Sequence, residues 1–520
     1  AQASVVMIAT LVASRVLGWV RLSVIGAQFG GRPRELDAFW AAFRIPDTIF
    51  NLLVAGALAS AFIPVFSGYL AKEREKEAWH VASSVMNAML LLLIALSAVM
   101  WLAAPALMPL LVPEFTPSQL ELSTRLTRIM LLSPIFMGLS ALFTGVLNSY
   151  RQFLSGATAP LVYNLVIILF ALFASPFLGI SALAYGVVAG ALMMWLVQVP
   201  ELTFRRTKYT LALDLRHVGV REIARLSGPR TLALGAVQVV FFVDVNLASR
   251  MLPGSLTALT YAFQLLLLPI GVFSIAISAA VFPALTRYAA EGLQAKLRDA
   301  LEQAIRWILF LTLPAAVVMI VLRRPIVHLL FQWKDFGPDL REATAAAFLL
   351  YAIGLVGHAL VQIVARGFYA TKDTRTPFVL TLGSIAINVA LSIAFAPMWG
   401  INGLALANSL ATLAEAALLL ALLASRARLR MRGLGAASLR LAAASVAMGA
   451  AMFLFIRLTN VTVDLGETKL GLLLQTLLAG AVGGLAFLAA ASVLRVPELA
   501  EVAAALRSRK QTTPAEVDAG

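Results

Sequence analysis

The chain has 520 residues, of which 61% are hydrophobic and only 13% are charged; its mean hydropathy is +0.89. A soluble domain carries about 25% charged residues, so the composition excludes a soluble globular protein and predicts a polytopic membrane protein. There is no cysteine, and the four histidines are scattered, which excludes disulfides and thiolate metal sites. The net charge of +15 is typical of basic cytoplasmic loops that meet anionic lipid, and nucleic acid is not expected as a partner.

Apolar runs of about 20 residues can cross the ~30 Å hydrocarbon core as helices. Fourteen such runs predict about fourteen transmembrane helices, so the predicted fold class is an all-α polytopic membrane protein. The predicted spans are 4–28, 37–70, 82–112, 123–147, 157–175, 179–200, 226–250, 256–286, 303–323, 344–369, 376–397, 400–424, 439–458 and 469–494. Four prolines inside spans, Pro46, Pro64, Pro269 and Pro283, predict kinks.

Basic residues are concentrated in alternate connections between these spans. The rich connections lie around 72–76, 205–225, 287–298, 372–375 and 426–432. By the positive-inside rule these connections are cytoplasmic, so both termini are predicted to be inside. The connection 323–341, with four basic residues, is the exception. Residues 497–520 are predicted to form a cytoplasmic tail.

Several segments recur about 220 residues apart. ALASAFIPVFSGYLAK (57–72) resembles AISAAVFPALTRYAAE (276–291), and GISALA (179–184) resembles GINGLA (400–405). Six helices fit in that interval, so the copies share one topology and predict two six-helix lobes related by a parallel repeat around a central cavity. The predicted domains are an N-lobe at 1–222 with helices 1–6, a C-lobe at 223–425 with helices 7–12, and two extra helices at 426–496, followed by the tail.

Two arginines lie inside the first span, in SRVLGWVR (14–21). An arginine at mid-bilayer costs about 2.5–3.5 kcal/mol on insertion scales, so Arg15 and Arg21 are expected to face a water-filled cavity rather than lipid. Such a cavity attracts anions and indicates a transporter of a negatively charged substrate. Arg44 and Asp47 stand at i and i+3 and can pair on one helix face, in either a structural or a functional role.

The seventh span contains an isolated acid, Asp244. Such a carboxylate must be protonated, bind a cation or pair with Arg250, and the sequence leaves these alternatives open. Asn388 and Asn408 can supply oxygens to a bound cation. His358 is interpreted as a hydrogen-bonded packing residue rather than a proton relay.

Motifs of common enzymes are missing from the sequence. It contains no G-x-x-x-x-G-K-[ST] loop, no H-E-x-x-H and no G-x-S-x-G. Transport is therefore expected to depend on an ion gradient, on the membrane potential or on passive equilibration.

SRVLGWVR and the following DAFWAAFRIPDTIFNLLVAGALASAFIPVFSGYL (37–70) resemble the MurJ (MviN) family of lipid II flippases. This family belongs to the multidrug/oligosaccharidyl-lipid/polysaccharide exporter superfamily, and the likeness extends over 261–289 and 367–377. The resemblance implies a transporter, not an enzyme, in the bacterial cytoplasmic membrane. It would move lipid II, the undecaprenyl-pyrophosphate-linked peptidoglycan precursor, from the inner to the outer leaflet by alternating access through a cationic cavity. Helices 13 and 14 would hold the lipid tail.

The resemblance also implies roles for individual residues. Arg15 and Arg21 match family arginines that bind the pyrophosphate, Asp37 matches the acid that opens helix 2, and Asp244 is similar to a sodium-site aspartate. The chain departs from the family where Phe50, Asn51 and Gln264 replace arginines and where Leu22 replaces an acid; Arg44, Arg250 or Arg366 can compensate. The predicted substrate-binding residues are Arg15, Arg21, Arg44, Asp37, Gln264 and Arg250. The predicted cation site is Asp244, Asn388 and Asn408.

The expected partners are lipid II, membrane lipids and the cell-wall synthesis machinery. No cofactor is expected except Na⁺ or H⁺ as a coupling ion. The alternatives are a flippase for another polyprenyl-linked glycan, a cation-coupled exporter of the same superfamily, a membrane-embedded glycosyltransferase and a non-transporting scaffold. Paired arginines on helix 1 favour an anionic lipid over a cationic drug, and the absence of a long predicted external loop disfavours the glycosyltransferase.

Overall fold

The computed structural model describes residues 2–55, 61–204, 208–462 and 468–501. Within these ranges the chain is folded into α-helices joined by short turns. The helices are α1 Gln2–Phe29, α2 Pro33–Phe50, α3 Ile63–Ala71, α4 Glu75–Leu111, α5 Pro117–Met130, α6 Ser133–Ser149, α7 Leu154–Leu169, α8 Ser175–Leu178, α9 Ser181–Leu196, α10 Val199–Phe204, α11 Val218–Ala248, α12 Ser255–Pro269, α13 Ala276–Ala290, α14 Gln294–Val321, α15 Arg323–Phe331, α16 Pro338–Ala370, α17 Arg375–Trp399, α18 Ile401–Ala427, α19 Met431–Thr462 and α20 Lys469–Val493.

The predicted spans coincide with helical segments. Among the described residues, 11 segments are long and apolar enough to cross a membrane. The other three predicted spans are also helical, in α1, in α2 with α3, and in α11. The all-α polytopic fold class is therefore confirmed, although residues 56–60 of the second predicted span lie outside the described ranges.

Two π-helical turns follow prolines at which kinks are predicted. After Pro46, α2 continues into a π-turn at Asn51–Ala55, and α12 ends at Pro269 and continues into a π-turn at Ile270–Ile275. A proline removes one backbone donor and clashes with the preceding turn, so the helix ladder shifts nearby. The two turns occupy matching positions in the two copies of the sequence repeat, which agrees with a parallel repeat.

The repeated segments GISALA and GINGLA also share one backbone conformation at their first glycine. Gly179 precedes α9 with φ 56° and ψ −143°, and Gly400 precedes α18 with φ 57° and ψ −138°. Only glycine adopts this backbone region readily, because a Cβ would clash. The matching glycines of GISALA and GINGLA therefore make the same turn between consecutive helices.

The chain divides into two compact units. The first unit comprises Ala1–Tyr261 with Leu330–Ala343, and the second comprises Ala262–Leu329 with Thr344–Gly520. The predicted N-lobe and C-lobe are defined by their roles in transport rather than by compactness, so their boundaries stay a prediction.

The first unit is held together by aromatic packing at one end of α1. The buried Tyr261 ring lies 4.8 Å from Phe331 and 5.9 Å from Phe336, and its hydroxyl donates to the Leu22 carbonyl at 3.1 Å. The Ser23 hydroxyl donates to the Leu330 carbonyl. The connection predicted at 323–341 thus contains the short helix α15, and its later part anchors α1.

The second unit is built around α14, which packs against α18 and α19. Leu301, Ile305 and Ile308 form one buried stripe of α14, and Leu441, Ala444 and Met448 form the facing stripe of α19. Their i, i+3/i+4 and i+7 spacing places each set on one helix face. At the end of this interface the Glu302 carboxylate accepts a hydrogen bond from the backbone N–H of Arg430 at 2.6 Å, which fixes the start of α19.

Candidate substrate and ion site

The predicted arginines of α1 have different surroundings. Arg15 is exposed, whereas Arg21 is half-buried, and its guanidinium carbon lies 5.8 Å from the centroid of the Tyr163 ring on α7. The buried Nε of Arg21 has no hydrogen-bond partner in the described part of the chain. A buried guanidinium donor without an acceptor is costly, so this position is suited to an anion with several oxygens.

A second basic group lies on α2. The Arg44 Nη1 atom is 3.4 Å from the Asp47 carboxylate, and the guanidinium carbon lies 4.6 Å from the centroid of the Phe241 ring on α11. The predicted i, i+3 pair is therefore present. Arg21 also acts electrostatically on Asp47. The acid Asp47 thus lies within the electrostatic reach of both arginines, one on α1 beside α7 and one on α2 beside α11.

Asp244 lies on α11 and is 7% exposed. Its Oδ1 atom has no hydrogen-bond partner among the described residues, and the cation that acts on it electrostatically is Arg44. Arg250 instead donates from Nη2 to Asn246 Oδ1 at 3.0 Å. The predicted alternative of an Asp244–Arg250 pair is therefore wrong, because Arg250, just after α11, bonds back to Asn246 instead.

Asp37 lies at the start of α2 and is 3% exposed. Its carboxylate accepts hydrogen bonds from the Gly254 N–H at 2.6 Å, the Thr257 N–H at 2.9 Å and the Thr257 hydroxyl at 2.6 Å. The Gly254 N–H lies just before α12 and the Thr257 N–H lies in its first turn, where backbone donors lack helical partners. The structure thus places Asp37 as a cap of α12, and its predicted substrate contact stays a prediction.

Replacement of Asp37 by alanine is expected to destabilise the protein by about 2–5 kcal/mol, because it leaves three buried donors without an acceptor. Thermal unfolding of the purified protein in detergent measures this change. Asp339→Ala, which removes an exposed acid in the first turn of α16, is the control and should have little effect. Equal unfolding temperatures for the two variants would contradict the capping role.

The remaining predicted residues lie in the second unit. Gln264 of α12 is half-buried, and Arg366 of α16 lies 5.7 Å from the centroid of the Phe282 ring. Asn388 is buried and accepts from the Ser392 hydroxyl at 3.3 Å. Asn408 Oδ1 lies 3.1 Å from His358 Nε2, which agrees with a packing role for His358. A cation role for Asn388 and Asn408 stays a prediction.

Four residues of the first-unit site escaped the sequence reasoning. The rings of Tyr163 and Phe241 pack against the guanidinium groups of Arg21 and Arg44. The Thr48 hydroxyl of α2 donates a hydrogen bond to Gln238 Oε1 of α11 at 3.5 Å. Gln238 offered a signal, since it is a polar residue inside an apolar run six positions before Asp244. The two aromatic rings offered none, because apolar helices contain many such residues.

Residues 27–474 match the sequence model of the lipid II flippase MurJ family. A relative from Burkholderia cenocepacia, named lipid II flippase MurJ, is 30% identical over 402 residues, covering 76% of this chain and 78% of the relative. A probable lipid II flippase MurJ from Bdellovibrio bacteriovorus is 31% identical over 419 residues, covering 79% of each.

Solved structures show the same relationship. The structure described as lipid II flippase MurJ in the inward closed conformation is 26% identical, with a TM-score of 0.77 over 94% of this chain and 98% of that chain. An inward-facing multidrug resistance MATE transporter is 18% identical, with a TM-score of 0.67, and shows the shared fold alone. The chain therefore belongs to the lipid II flippase MurJ family, a family of transporters rather than enzymes, and is a multi-pass protein of the bacterial inner membrane.

Proposed function

We propose that this chain moves lipid II from the inner to the outer leaflet of the cytoplasmic membrane by alternating access. The observation that carries the proposal is the arginine site of the first unit, where the buried Nε of Arg21 has no hydrogen-bond acceptor among the described residues and Arg44 pairs with Asp47. The family match over residues 27–474 supports the same substrate.

The chemistry of the site suits a pyrophosphate headgroup. Such a group cannot enter hydrocarbon unaided, because a buried charge without partners is prohibitively costly. A guanidinium fork can bind two phosphate oxygens at once and replaces the lost hydration. With the cell interior negative, each negative charge that moves outward gains about 2.3 kcal/mol per 100 mV.

The orientation in the membrane is part of the proposal. Basic connections on one side of the membrane support a cytoplasmic location for both termini. The N-lobe at 1–222 and the C-lobe at 223–425 would open the cavity in turn to each side of the membrane. The helices α19 and α20 would hold the undecaprenyl tail. Arg15, Gln264, Arg250 and Arg366 are proposed to contact the headgroup as it moves. Membrane lipids and the cell-wall synthesis machinery are the other proposed partners.

A coupling ion is proposed for the return of the empty carrier. Asp244 supports this role, because a buried carboxylate oxygen with no hydrogen-bond donor within the described ranges suits a proton or a sodium ion. No other cofactor is proposed.

Departures from the family pattern support one related alternative. Phe50, Asn51 and Gln264 stand where the family carries arginines, so the site is less basic than that pattern. A headgroup that differs from lipid II, on another polyprenyl-linked glycan, would fit such a site.

Depletion rescue tests the proposal. A bacterium depleted of its own lipid II flippase should grow and expose lipid II on the outer leaflet when it expresses this chain. Arg15→Ala and Arg21→Ala should fail to rescue at equal expression, because each removes a headgroup ligand. Arg32→Ala, an exposed arginine paired with Glu35, is the control and should rescue. Correct insertion without rescue would favour the other polyprenyl-linked glycan.

A further inference from the structure

A buried acid in the second unit has no role in the site described above. Glu415 lies near the middle of α18 and is 7% exposed. Among the described residues, no basic side chain forms an ion pair with it. A carboxylate inside a membrane-spanning helix is costly when ionised, so it must be protonated or gain a partner during function.

The neighbours of Glu415 are hydroxyl groups of α17. The Thr381 hydroxyl lies 2.6 Å from Glu415 Oε1, and the Ser384 hydroxyl donates to the Ala411 carbonyl at 3.1 Å, one turn before Glu415. A hydroxyl can donate to a carboxylate and can also accept from a carboxylic acid. Thr381 therefore remains a partner of Glu415 in both protonation states, whereas a fixed arginine would favour the charged state alone.

Further polar groups continue from Glu415 along the packed faces of α17 and α18. The polar members of α17 are Thr381, Ser384, Asn388 and Ser392, and those of α18 are Asn408, Thr412 and Glu415. Their spacings of three, four and seven residues place each set on one helix face. The α18 set extends about 10 Å along the helix, and His358 of α16 contacts its far member, Asn408, at 3.1 Å. A buried polar column thus crosses part of an otherwise apolar helix interface.

We propose that Glu415 is a proton-binding site that takes up and releases one proton in each transport cycle. The proton adds to the carboxylate to give the carboxylic acid, and no other bond changes. A proton fits better than a sodium ion, because the Thr381 hydroxyl already bonds to Glu415 and the Ser384 hydroxyl already bonds to the Ala411 carbonyl. The proposal rests on the transport function proposed above, and it adds an ion site separate from Asp244.

Carbodiimide labelling tests the site without requiring transport. Dicyclohexylcarbodiimide reacts with protonated carboxyl groups in apolar surroundings, and mass spectrometry locates the adduct. In vesicles of phosphatidylethanolamine and phosphatidylglycerol, labelling of Glu415 in the full chain should increase several-fold as the pH falls from alkaline to mildly acidic values, and sodium chloride should not protect it. Labelling that does not change with pH, protection by sodium, or no labelling at any pH would each overturn the proposal.

Glu415→Gln tests the role of the site in transport. This variant should lose the response of lipid II transport to an imposed pH gradient while keeping the response to membrane potential. Glu498→Gln is the matched control, because Glu498 is 1% exposed but lies 3.7 Å from Arg306; it should keep both responses. If Glu415→Gln misfolds, Thr381→Val should still shift the pH at which labelling increases. The proton-site proposal would be overturned by an unchanged pH-gradient response in folded Glu415→Gln, or by unchanged labelling in Thr381→Val. If the wild type did not transport lipid II at all, that result would instead refute the proposed function.

Discussion

Replacement of Arg21 by glutamine is expected to slow lipid II transport by about 10- to 100-fold. Hydrogen bonds to charged groups contribute about 1.5–3 kcal/mol, and each 1.4 kcal/mol is a tenfold change. Arg21 is the residue expected to show this loss because, in the part of the chain that the structure describes, its buried Nε has no acceptor and its guanidinium lies beside Tyr163. A phosphate oxygen can therefore bind there without displacing an existing hydrogen bond to that donor.

Two further variants separate the charge of Arg21 from its shape. Arg21→Lys keeps the positive charge but loses the planar fork, so its transport rate should lie between those of the wild type and Arg21→Gln. Arg32→Gln changes an exposed arginine paired with Glu35 and should transport at the wild-type rate. Initial rates in vesicles with purified protein measure all three. A wild-type rate for Arg21→Gln would refute the assignment of the headgroup to this site.

Asp244→Asn is expected to abolish the dependence of transport on the coupling ion. The amide has nearly the same shape as the carboxylate but neither binds a proton in this pH range nor neutralises a cation. Coupling free energies between sites are about 1–3 kcal/mol, so the stimulation by the ion should fall by about 5- to 150-fold. The interaction of Asp244 with Arg44 provides a physical link between the ion and the basic site.

Transport rates measured with and without sodium, and with and without a pH gradient, give the size of this effect. Asp47→Asn is the control, because it removes the acid that pairs directly with Arg44 but keeps Asp244. It should change the transport rate while preserving the ion dependence. Full transport by Asp244→Asn with undiminished ion dependence would exclude Asp244 as the coupling site.

The membrane helices could be predicted from the sequence because each apolar run must satisfy its backbone hydrogen bonds internally. The repeat was also accessible, since Gly179 and Gly400 stand in similar sequences and adopt the same backbone conformation. The helix α15 was not predicted, because its arginines made the segment resemble an ordinary loop. The π-turns after Pro46 and Pro269 were expected only as kinks.

The contacts of the site were less predictable than its composition. Spacing allowed the Arg44–Asp47 pair, since i and i+3 residues are neighbours on a helix. The same reasoning did not identify Arg44 as the cation that acts on Asp244, because this long-range electrostatic effect depends on how α2 packs against α11. The family resemblance implied that Asp37 binds the substrate. Its hydrogen-bond partners instead come from a turn more than 200 residues later in the chain. Such contacts require the tertiary structure.

Direct transport by the purified chain tests the central claim. Vesicles that contain labelled lipid II and this protein, with an inside-negative membrane potential, would be assayed for lipid II that becomes accessible on the outer surface. Fast exposure by the wild type, lost in Arg21→Gln and retained in Arg32→Gln, is the predicted result. Exposure no faster than in protein-free vesicles, with correctly folded and inserted protein, would contradict the proposal that this chain flips lipid II.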